Sequence, residues 1–153
     1  MTSSSNLLPI YRLLPGLTAT AALSYAASEY WVLVPFLHRD IPKEAPGIWW
    51  NQALWPGTAG VLAIGWTSVG AGILSMRHTA GEAQSLYKWG AIFAAAHFIF
   101  APFVAQVIKR TVYGPPENSK NEVRTWLKIH TLRTIVADLP AAICFLRAFL
   151  ATL

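Results

Sequence analysis

Glu29, His97, His130, Arg133 and Asp138 are ionisable side chains that lie inside long apolar segments of this sequence. An ionisable group at membrane depth costs at least about 2.5–3.5 kcal/mol to insert, so it is retained where it faces a bundle interior with partners or a task. Imidazoles, carboxylates and a guanidinium buried together can move a proton and stabilise an oxyanion. Chemistry in this chain is therefore expected at these residues.

An indole, an imidazole and a guanidinium share one face of the last apolar segment. At 100° per residue, Trp126, His130 and Arg133 fall within an arc of about 60°, which Ala137 continues. Asp138 lies on the flank of this stripe. The pattern predicts one polar stripe that faces the interior of a helix bundle.

The partners of this stripe are predicted on the same and neighbouring segments. Glu29 is the expected counter-charge of Arg133, and Tyr25 lies one turn before Glu29 on the first segment. Pro140 frees the carbonyl of Val136 from a helical hydrogen bond, so we expect a bend there that opens a cavity.

A structural interpretation competes with the catalytic one. In it, Glu29, Arg133 and Asp138 form a buried ion-pair network that only fixes helix register. His97, alone in an apolar stretch, is more often a hydrogen-bonded core histidine, and Trp66 is more often a packing or lipid contact. In the functional alternative, an apolar substrate pocket is lined by Trp126, Tyr25, His97 and Trp66.

Four apolar segments carry these residues. Of the 153 residues, 54% are hydrophobic and 12% are charged, whereas soluble domains are about 25% charged. A membrane helix needs about 20 mostly apolar residues. The sequence therefore predicts a single all-α domain, residues 1–153, folded as an integral membrane four-helix bundle. The four predicted spans are residues 13–37, 50–76, 86–108 and 123–149.

Small and aromatic residues refine this picture. Glycines and alanines recur along the second segment, which predicts that other helices pack closely against it. Most tryptophans fall near a predicted helix end, where an indole fits the headgroup region of a bilayer. These predicted anchors are Trp31, Trp49, Trp50, Trp55, Trp89 and Trp126.

Several kinds of site are not expected. The net charge of +5 comes from lysines and arginines that lie singly and form no basic face, so nucleic acid is not an expected partner. Cys144 is the single cysteine, which excludes a disulfide or thiol pair within the chain. No His-x-x-x-His or Glu-x-x-His pair and no Gly-rich phosphate loop is present. Neither a metal nor a nucleotide cofactor is therefore predicted.

A pattern Trp-x-x-x-His-x-x-Arg begins at Trp126 and opens the last segment after a Pro- and charge-rich loop. With residues 101–103 (Ala-Pro-Phe) and 109–113 (Lys-Arg-Thr-Val-Tyr), it resembles the anthrone-oxygenase-like family of small four-helix membrane proteins. The fungal enzymes tend to carry an Asn-Asn pair where this chain has Lys109 and Arg110. The resemblance implies polyketide or other secondary-metabolite biosynthesis, in which O₂ oxidises an anthrone to an anthraquinone without a cofactor.

The resemblance also implies roles for the site residues. An anthrone loses a benzylic proton to give an anthranolate that reacts directly with O₂, so the protein must supply a base, an oxyanion partner and an apolar pocket. His130 would be the base, Arg133 would stabilise the enolate or peroxide oxygen, and Trp126 would stack on the substrate. Glu29 or Asp138 would orient the cations.

Two other functions stay open from the sequence. One is a membrane cyclase or isomerase in which a protonated Glu29 or Asp138 donates a proton to a lipophilic polyketide or meroterpenoid. The other is a non-catalytic membrane scaffold whose polar network only specifies the bundle. The expected partners are membrane lipid and a lipophilic small molecule, and a homo-oligomer is left open. The endoplasmic reticulum is the expected membrane.

Overall fold

Four long helices make up residues 8–153, the part of the chain that the computed structural model describes. The predicted all-α, four-helix fold is confirmed for these residues. The helices are α1 (Leu8–Leu33), α2 (Ala45–Arg77), α3 (Gly81–Tyr113) and α4 (Pro116–Leu150).

The helices overlap the four predicted spans but begin earlier in the chain. α2 begins at Ala45 instead of residue 50, because Pro46 is tolerated in the first turn of a helix, where its missing N–H costs no bond. α1 gives way after Leu33 to a 3₁₀ turn, Val34–Leu37, which contains Pro35. Pro46 therefore lies at the start of a helix and Pro35 in a final turn.

α3 changes its winding at mid-length. A 3₁₀ turn, His97–Phe100, separates the α-helical segments Gly81–Ala96 and Ala101–Tyr113. Pro102 follows this turn and has no N–H to donate to the carbonyl of Phe98, which loosens the helix there. His97 is thus carried on an irregular turn in the middle of the bundle.

α4 has a wider turn at the corresponding depth. A π-turn, Thr134–Asp138, separates Ser119–Arg133 from Leu139–Leu150, and the N–H of Leu139 bonds the carbonyl of Thr134 five residues back. Pro140 lies directly after the turn and lacks the N–H that would bond Val136. The sequence predicted a bend at Pro140. The structure has a π-turn there, which adds one residue to a turn of the helix.

The bundle divides along its length into two halves of different composition. One half, which we call the packed half, is filled by alanines around Tyr87 and Phe145; the other, the cavity half, is built of larger aliphatic and indole side chains. The buried core of the packed half is Ala19, Val69, Tyr87, Ala91, Ala94, Ala141, Ala142, Phe145 and Ala148. That of the cavity half is Leu33, Trp50, Val107, Ile108, Val123 and Trp126.

Glycines let the helices of the packed half approach one ring. A Cβ added to Gly72 of α2 or to Gly90 of α3 would lie 2.6 Å from the ring of Phe145, closer than real side chains come. A Cβ on Gly65 would lie 2.7 Å from the ring of Phe98. The packing role predicted for the glycines of the second segment is confirmed at Gly72 and Gly65.

Three of the four helices, α2, α3 and α4, are long and apolar enough to cross a membrane. Large apolar side chains such as Trp31, Trp55 and Phe103 are exposed on the outside of the bundle, as expected where lipid replaces water. α1 does not reach the same apolarity, and its crossing of the membrane stays a prediction. The same holds for the endoplasmic reticulum and for a homo-oligomer.

Two of the predicted headgroup anchors are wrong. Trp50 and Trp126 are only 6% and 2% exposed, and their rings contact each other with centroids 5.4 Å apart. Because α2 begins at Ala45 and α4 at Pro116, both indoles lie more than one turn inside their helices. They belong to the core of the cavity half.

Candidate active site

A partly open cavity of about 560 Å³ lies in the cavity half and is lined by all four helices. This volume is within the roughly 300–1,000 Å³ of small-molecule sites. Most of its wall is apolar or aromatic, and charged or protic groups enter at Glu29, His97 and Arg133. The cavity half is therefore built to hold a mainly apolar molecule beside a few polar groups.

Arg133 is the centre of the polar network. Its Nε donates to Asp138 Oδ2 at 3.3 Å, its Nη2 donates to His130 Nδ1 at 2.8 Å, and the same Nη2 is 3.9 Å from Glu29 Oε2. A guanidinium only donates hydrogen bonds, so one cation holds an imidazole and two carboxylates. Asp138 is the nearer carboxylate, whereas the sequence suggested Glu29 as the counter-charge.

The π-turn explains why Asp138 reaches Arg133. In a regular α-helix, two residues five positions apart point about 140° away from each other. The extra residue of the π-turn Thr134–Asp138 rotates Asp138 back to the face of Arg133, and both side chains are buried. π-turns are often found at functional sites for this reason.

His130 lies behind the cavity wall. Its side chain is fully buried, and its Nε2 lies 3.0 Å from the carbonyl oxygen of Ala26. Because Arg133 donates to Nδ1, the ring proton is on Nε2 and is donated to Ala26. Both nitrogens are engaged, and His130 does not line the cavity. In this arrangement neither nitrogen of His130 is free to accept a proton from a substrate in the cavity.

Trp126 covers His130 on the side of the cavity. The two rings are stacked, with centroids 4.5 Å apart and an interplanar angle of 15°. The ring of Tyr30 lies 5.2 Å from that of His130, and its hydroxyl hydrogen-bonds Thr131 Oγ1. This aromatic packing holds His130 and, through it, Arg133 in place.

His97 of α3 meets Asp138 of α4 across the bundle. Nδ1 of His97 is 2.7 Å from Oδ1 of Asp138, and the His97 side chain is 15% exposed. His97 lines the large cavity and also a smaller one of about 30 Å³, whose wall includes Arg133 and Asp138. The hydrogen-bonded histidine that the sequence suggested is present, but at the cavity surface and not in an apolar core.

Glu29 lines the large cavity from α1. Its Oε2 lies 3.4 Å from His130 Nδ1, but that nitrogen already accepts a hydrogen bond from Arg133. Oε2 is buried without a hydrogen-bond partner among the described residues. A buried polar atom without a partner requires an explanation, such as a ligand, water or a catalytic role.

The two remaining sequence candidates have different positions. Tyr25 lines both cavities from α1, as expected for a substrate-binding residue. Trp66 lines neither cavity; it is 59% exposed and stacks on Phe98 with centroids 4.8 Å apart. The structure therefore brings together seven of the eight candidates and leaves Trp66 on the lipid-facing surface, where its packing interpretation fits. Those seven are Tyr25, Glu29, His97, Trp126, His130, Arg133 and Asp138.

Sequence reasoning missed two parts of the site. Trp50 lines the cavity and contacts Trp126. The sequence indicated a headgroup anchor instead, because Trp50 lies near a predicted helix end. The ring of Tyr30 packs at a tilt against that of His130, and its position next to Glu29 is the one signal that could have suggested it. Within residues 8–153, no group of three or more His, Cys, Asp or Glu side chains is placed to hold a metal ion.

Two known fungal proteins are similar to this chain over nearly its full length. Epoxidase pydX of Acremonium sp is 31% identical over 158 aligned positions, which cover 95% of this chain and 96% of the relative. Epoxidase gkaX of Penicillium citrinum is 28% identical over 159 positions, covering 95% and 96%. No family profile and no solved structure matches the chain.

These relatives refine the resemblance drawn from the sequence. They are named epoxidases, and the likeness to anthrone oxygenases is not confirmed by them. Identity at this level over nearly the full length of both chains indicates common descent and a common fold. The chain belongs to the family that includes the fungal epoxidase pydX.

Proposed function

We propose that this protein is a membrane-embedded oxygenase of secondary metabolism that uses O₂ to oxygenate a lipophilic, electron-rich ring held in the large cavity. The observation that carries the proposal is the cavity of about 560 Å³, whose apolar and aromatic wall is interrupted by Arg133, His97 and Glu29. The names of the relatives support oxygenation as the class of reaction. A cavity lined by helices that are long and apolar enough to cross a membrane suits a substrate that partitions into lipid.

The reaction balances without an external reductant if the substrate supplies the electrons. The anthrone carbon or the hydroquinone hydroxyl first loses a proton, and the resulting enolate or phenolate transfers electrons to O₂ to give a peroxide on a ring carbon. An anthrone then loses water to give an anthraquinone, so that anthrone plus O₂ gives anthraquinone plus H₂O. A 1,4-hydroquinone plus O₂ gives an epoxyquinone plus H₂O, because one peroxide oxygen adds to the neighbouring double bond. Both reactions need a base and an oxyanion partner beside an apolar pocket, and the second product is an epoxide.

Arg133 is proposed as the oxyanion partner. It lines the cavity, and a fixed cation there stabilises the charge that develops on the enolate or peroxide oxygen. His130 is proposed as its positioning residue, since it accepts from Nη2 at 2.8 Å and is held by Ala26 and Trp126. The function proposed for Trp126, which stacks on His130 and lines the cavity, is to contact the substrate.

Oxygen uptake tests the proposal directly. Purified protein in nanodiscs would receive emodin anthrone or a lipophilic 1,4-hydroquinone, with ¹⁸O₂ as the gas and spontaneous oxidation subtracted. We expect uptake of one O₂ per substrate and one ¹⁸O atom in the product. Arg133→Gln and His130→Ala should lose the activity, whereas Trp89→Phe, on the outside of α3, should retain it. Uptake no faster than the background with either substrate contradicts the proposal.

One observation favours a second function, a cyclase or isomerase. The buried, unpaired Oε2 of Glu29 is suited to carry a proton that protonates an alkene or epoxide in the same cavity. Such an enzyme would consume no O₂ and would convert a polyene or epoxide to an isomer of equal mass. Turnover without O₂ that Glu29→Gln abolishes, with folding intact, selects this function over the oxygenase.

A further inference from the structure

The two irregular turns of the bundle face each other across the polar network. The 3₁₀ turn His97–Phe100 of α3 presents His97, and the π-turn Thr134–Asp138 of α4 presents Asp138. His97 Nδ1 and Asp138 Oδ1 lie 2.7 Å apart, the shortest polar contact that this network makes across helices. Two separate departures from α-helical winding therefore produce a single contact.

The proton positions of this contact follow from its partners. Asp138 lies beside the Arg133 guanidinium, whose Nε donates to Oδ2 at 3.3 Å, and a neighbouring cation favours the ionised carboxylate. Its Oδ1 then accepts the Nδ1 proton of His97, which leaves the lone pair on His97 Nε2. Within residues 8–153, the bond to Asp138 is the only hydrogen bond of the His97 side chain. Its free nitrogen belongs to a side chain that lines the large cavity.

The two histidines of the site are thus in opposite states. His130 carries its proton on Nε2, donates a hydrogen bond to the Ala26 carbonyl, and is fully buried behind Trp126. His97 carries its proton on Nδ1, donates a hydrogen bond to a carboxylate, and lines the cavity. An imidazole whose far nitrogen is free and whose near N–H is held by a carboxylate is the arrangement of a general base.

We propose that His97 is the base that removes the substrate proton and that Asp138 is its positioning residue, an inference that rests on the proposed enolisable substrate. The C–H bond of the substrate breaks, its electron pair stays on the ring as the enolate, and the proton moves to His97 Nε2. The resulting imidazolium is stabilised by the Asp138 carboxylate. The same proton returns to the outer oxygen of the peroxide. The ring carbon then loses its second proton as the O–O bond breaks, so that the carbonyl forms and the outer oxygen leaves as water.

The charged and titratable surroundings of His97 agree with this direction of transfer. α4 presents Asp138 and Arg133 to it, and α1 presents Glu29 and Tyr25 to the same cavity. The two carboxylates balance the imidazolium and the guanidinium once the proton has moved. Arg133 is left to face the substrate oxygen, so base and oxyanion partner approach one ring from the same wall.

Hydrogen exchange on the substrate tests the base without oxygen. Emodin anthrone would be incubated with the protein in D₂O under argon, and deuterium entering its benzylic position would be followed by mass spectrometry against the spontaneous rate. Wild-type protein should accelerate this exchange, and His97→Gln should lower the acceleration by about 100-fold. His78→Gln, at the exposed end of α2, is the matched control and should exchange at the wild-type rate.

The other outcomes separate this inference from the proposed function. Exchange that survives His97→Gln, or no acceleration by the wild type, overturns His97 as the base. Exchange that depends on His97 without any O₂ uptake leaves the base in place and contradicts only the oxygenase. If oxygen uptake is lost in His130→Ala but His97→Gln is fully active, the base is His130 and not His97.

The positioning role of Asp138 has its own readout. In ¹⁵N spectra of histidine-labelled protein, His97 should show the Nδ1–H tautomer and His130 the Nε2–H tautomer. Asp138→Leu should move His97 toward the Nε2–H tautomer and reduce kcat for exchange while KM changes little. A His97 ring already in the Nε2–H tautomer in the wild type contradicts the assignment, whatever the activity.

Discussion

The two halves of the bundle are built from the same four helices and have opposite tasks. In the packed half, alanines and glycines draw the helices around Phe145, whose side chain is fully buried. In the cavity half, indoles and aliphatic side chains hold the helices apart around about 560 Å³ of space. The polar network lies at their boundary. Close packing in one half thus supplies a rigid base for an open site in the other.

The comparison shows that side-chain size, and not helix number, determines where this bundle can hold a ligand. Small residues let membrane helices approach, and large ones on the same helices keep them apart. The break between the two occurs where α3 and α4 leave regular winding, at His97–Phe100 and Thr134–Asp138. Substitutions that affect only one half should therefore separate stability from activity.

The largest effect is expected at the boundary, from Arg133→Met. Removing the cation leaves Asp138 and Glu29 buried without their shared partner, which costs about 3–5 kcal/mol for a buried ion pair. Thermal unfolding in nanodiscs should show the loss of stability, and oxygen uptake should be abolished. A variant as stable as the wild type would mean that the network contributes little to the fold.

Phe145→Ala should break the packed half with nearly as large an effect. The ring is fully buried against Gly72 and Gly90. Its removal leaves a cavity in the core, which should lower the free energy of unfolding by about 3–4 kcal/mol. Uptake per folded molecule should stay near the wild-type value, because Phe145 lies outside the cavity. Activity lost at temperatures where the variant is folded contradicts the separation of the two halves.

Trp50→Phe, in the cavity half, should have the opposite effect: substrate binding should change more than stability. The smaller ring retains most of the packing against Trp126 and is expected to cost about 1 kcal/mol of stability. The wall of the cavity loses part of its aromatic surface, so KM should rise several-fold with kcat less affected. Steady-state uptake at varied substrate concentration measures both constants. An unchanged KM places the substrate away from Trp50.

The smallest effect is expected for Arg147→Met, which matches Arg133→Met in chemistry. Arg147 pairs with Glu82 at 3.5 Å on the surface of the packed half, and both side chains are more than 60% exposed. Surface ion pairs contribute about 0–1 kcal/mol, so unfolding and uptake should both remain close to wild type. If Arg147→Met lost as much stability and oxygen uptake as Arg133→Met, the buried network would be no more important than a surface ion pair.

Much of the fold and part of the site follow from the sequence. Helical periodicity predicted that Trp126, His130, Arg133 and Ala137 share a buried face, and all four are buried. The prediction succeeds because α4 is regular up to Arg133. It also identified Glu29 and Tyr25 as facing groups, both of which line the large cavity.

The rest of the site depends on departures from regular winding. The contact of His97 with Asp138 joins residues 41 positions apart, and both lie on irregular turns. A pattern drawn at 100° per residue places Asp138 away from Arg133, so the position of a π-turn must be known before the two can be paired. The burial of Trp50 depends similarly on where α2 begins.

The central claim is that the substrate reacts inside the large cavity, and filling the cavity tests it most directly. Ala53 lines the cavity, whereas Ala59, on the same helix, is exposed and lies outside it. Oxygen uptake with the two probe substrates should be lost in Ala53→Phe and retained in Ala59→Phe, with both variants shown to be folded by thermal unfolding. Wild-type uptake by Ala53→Phe would contradict the claim and place the reaction elsewhere on the protein.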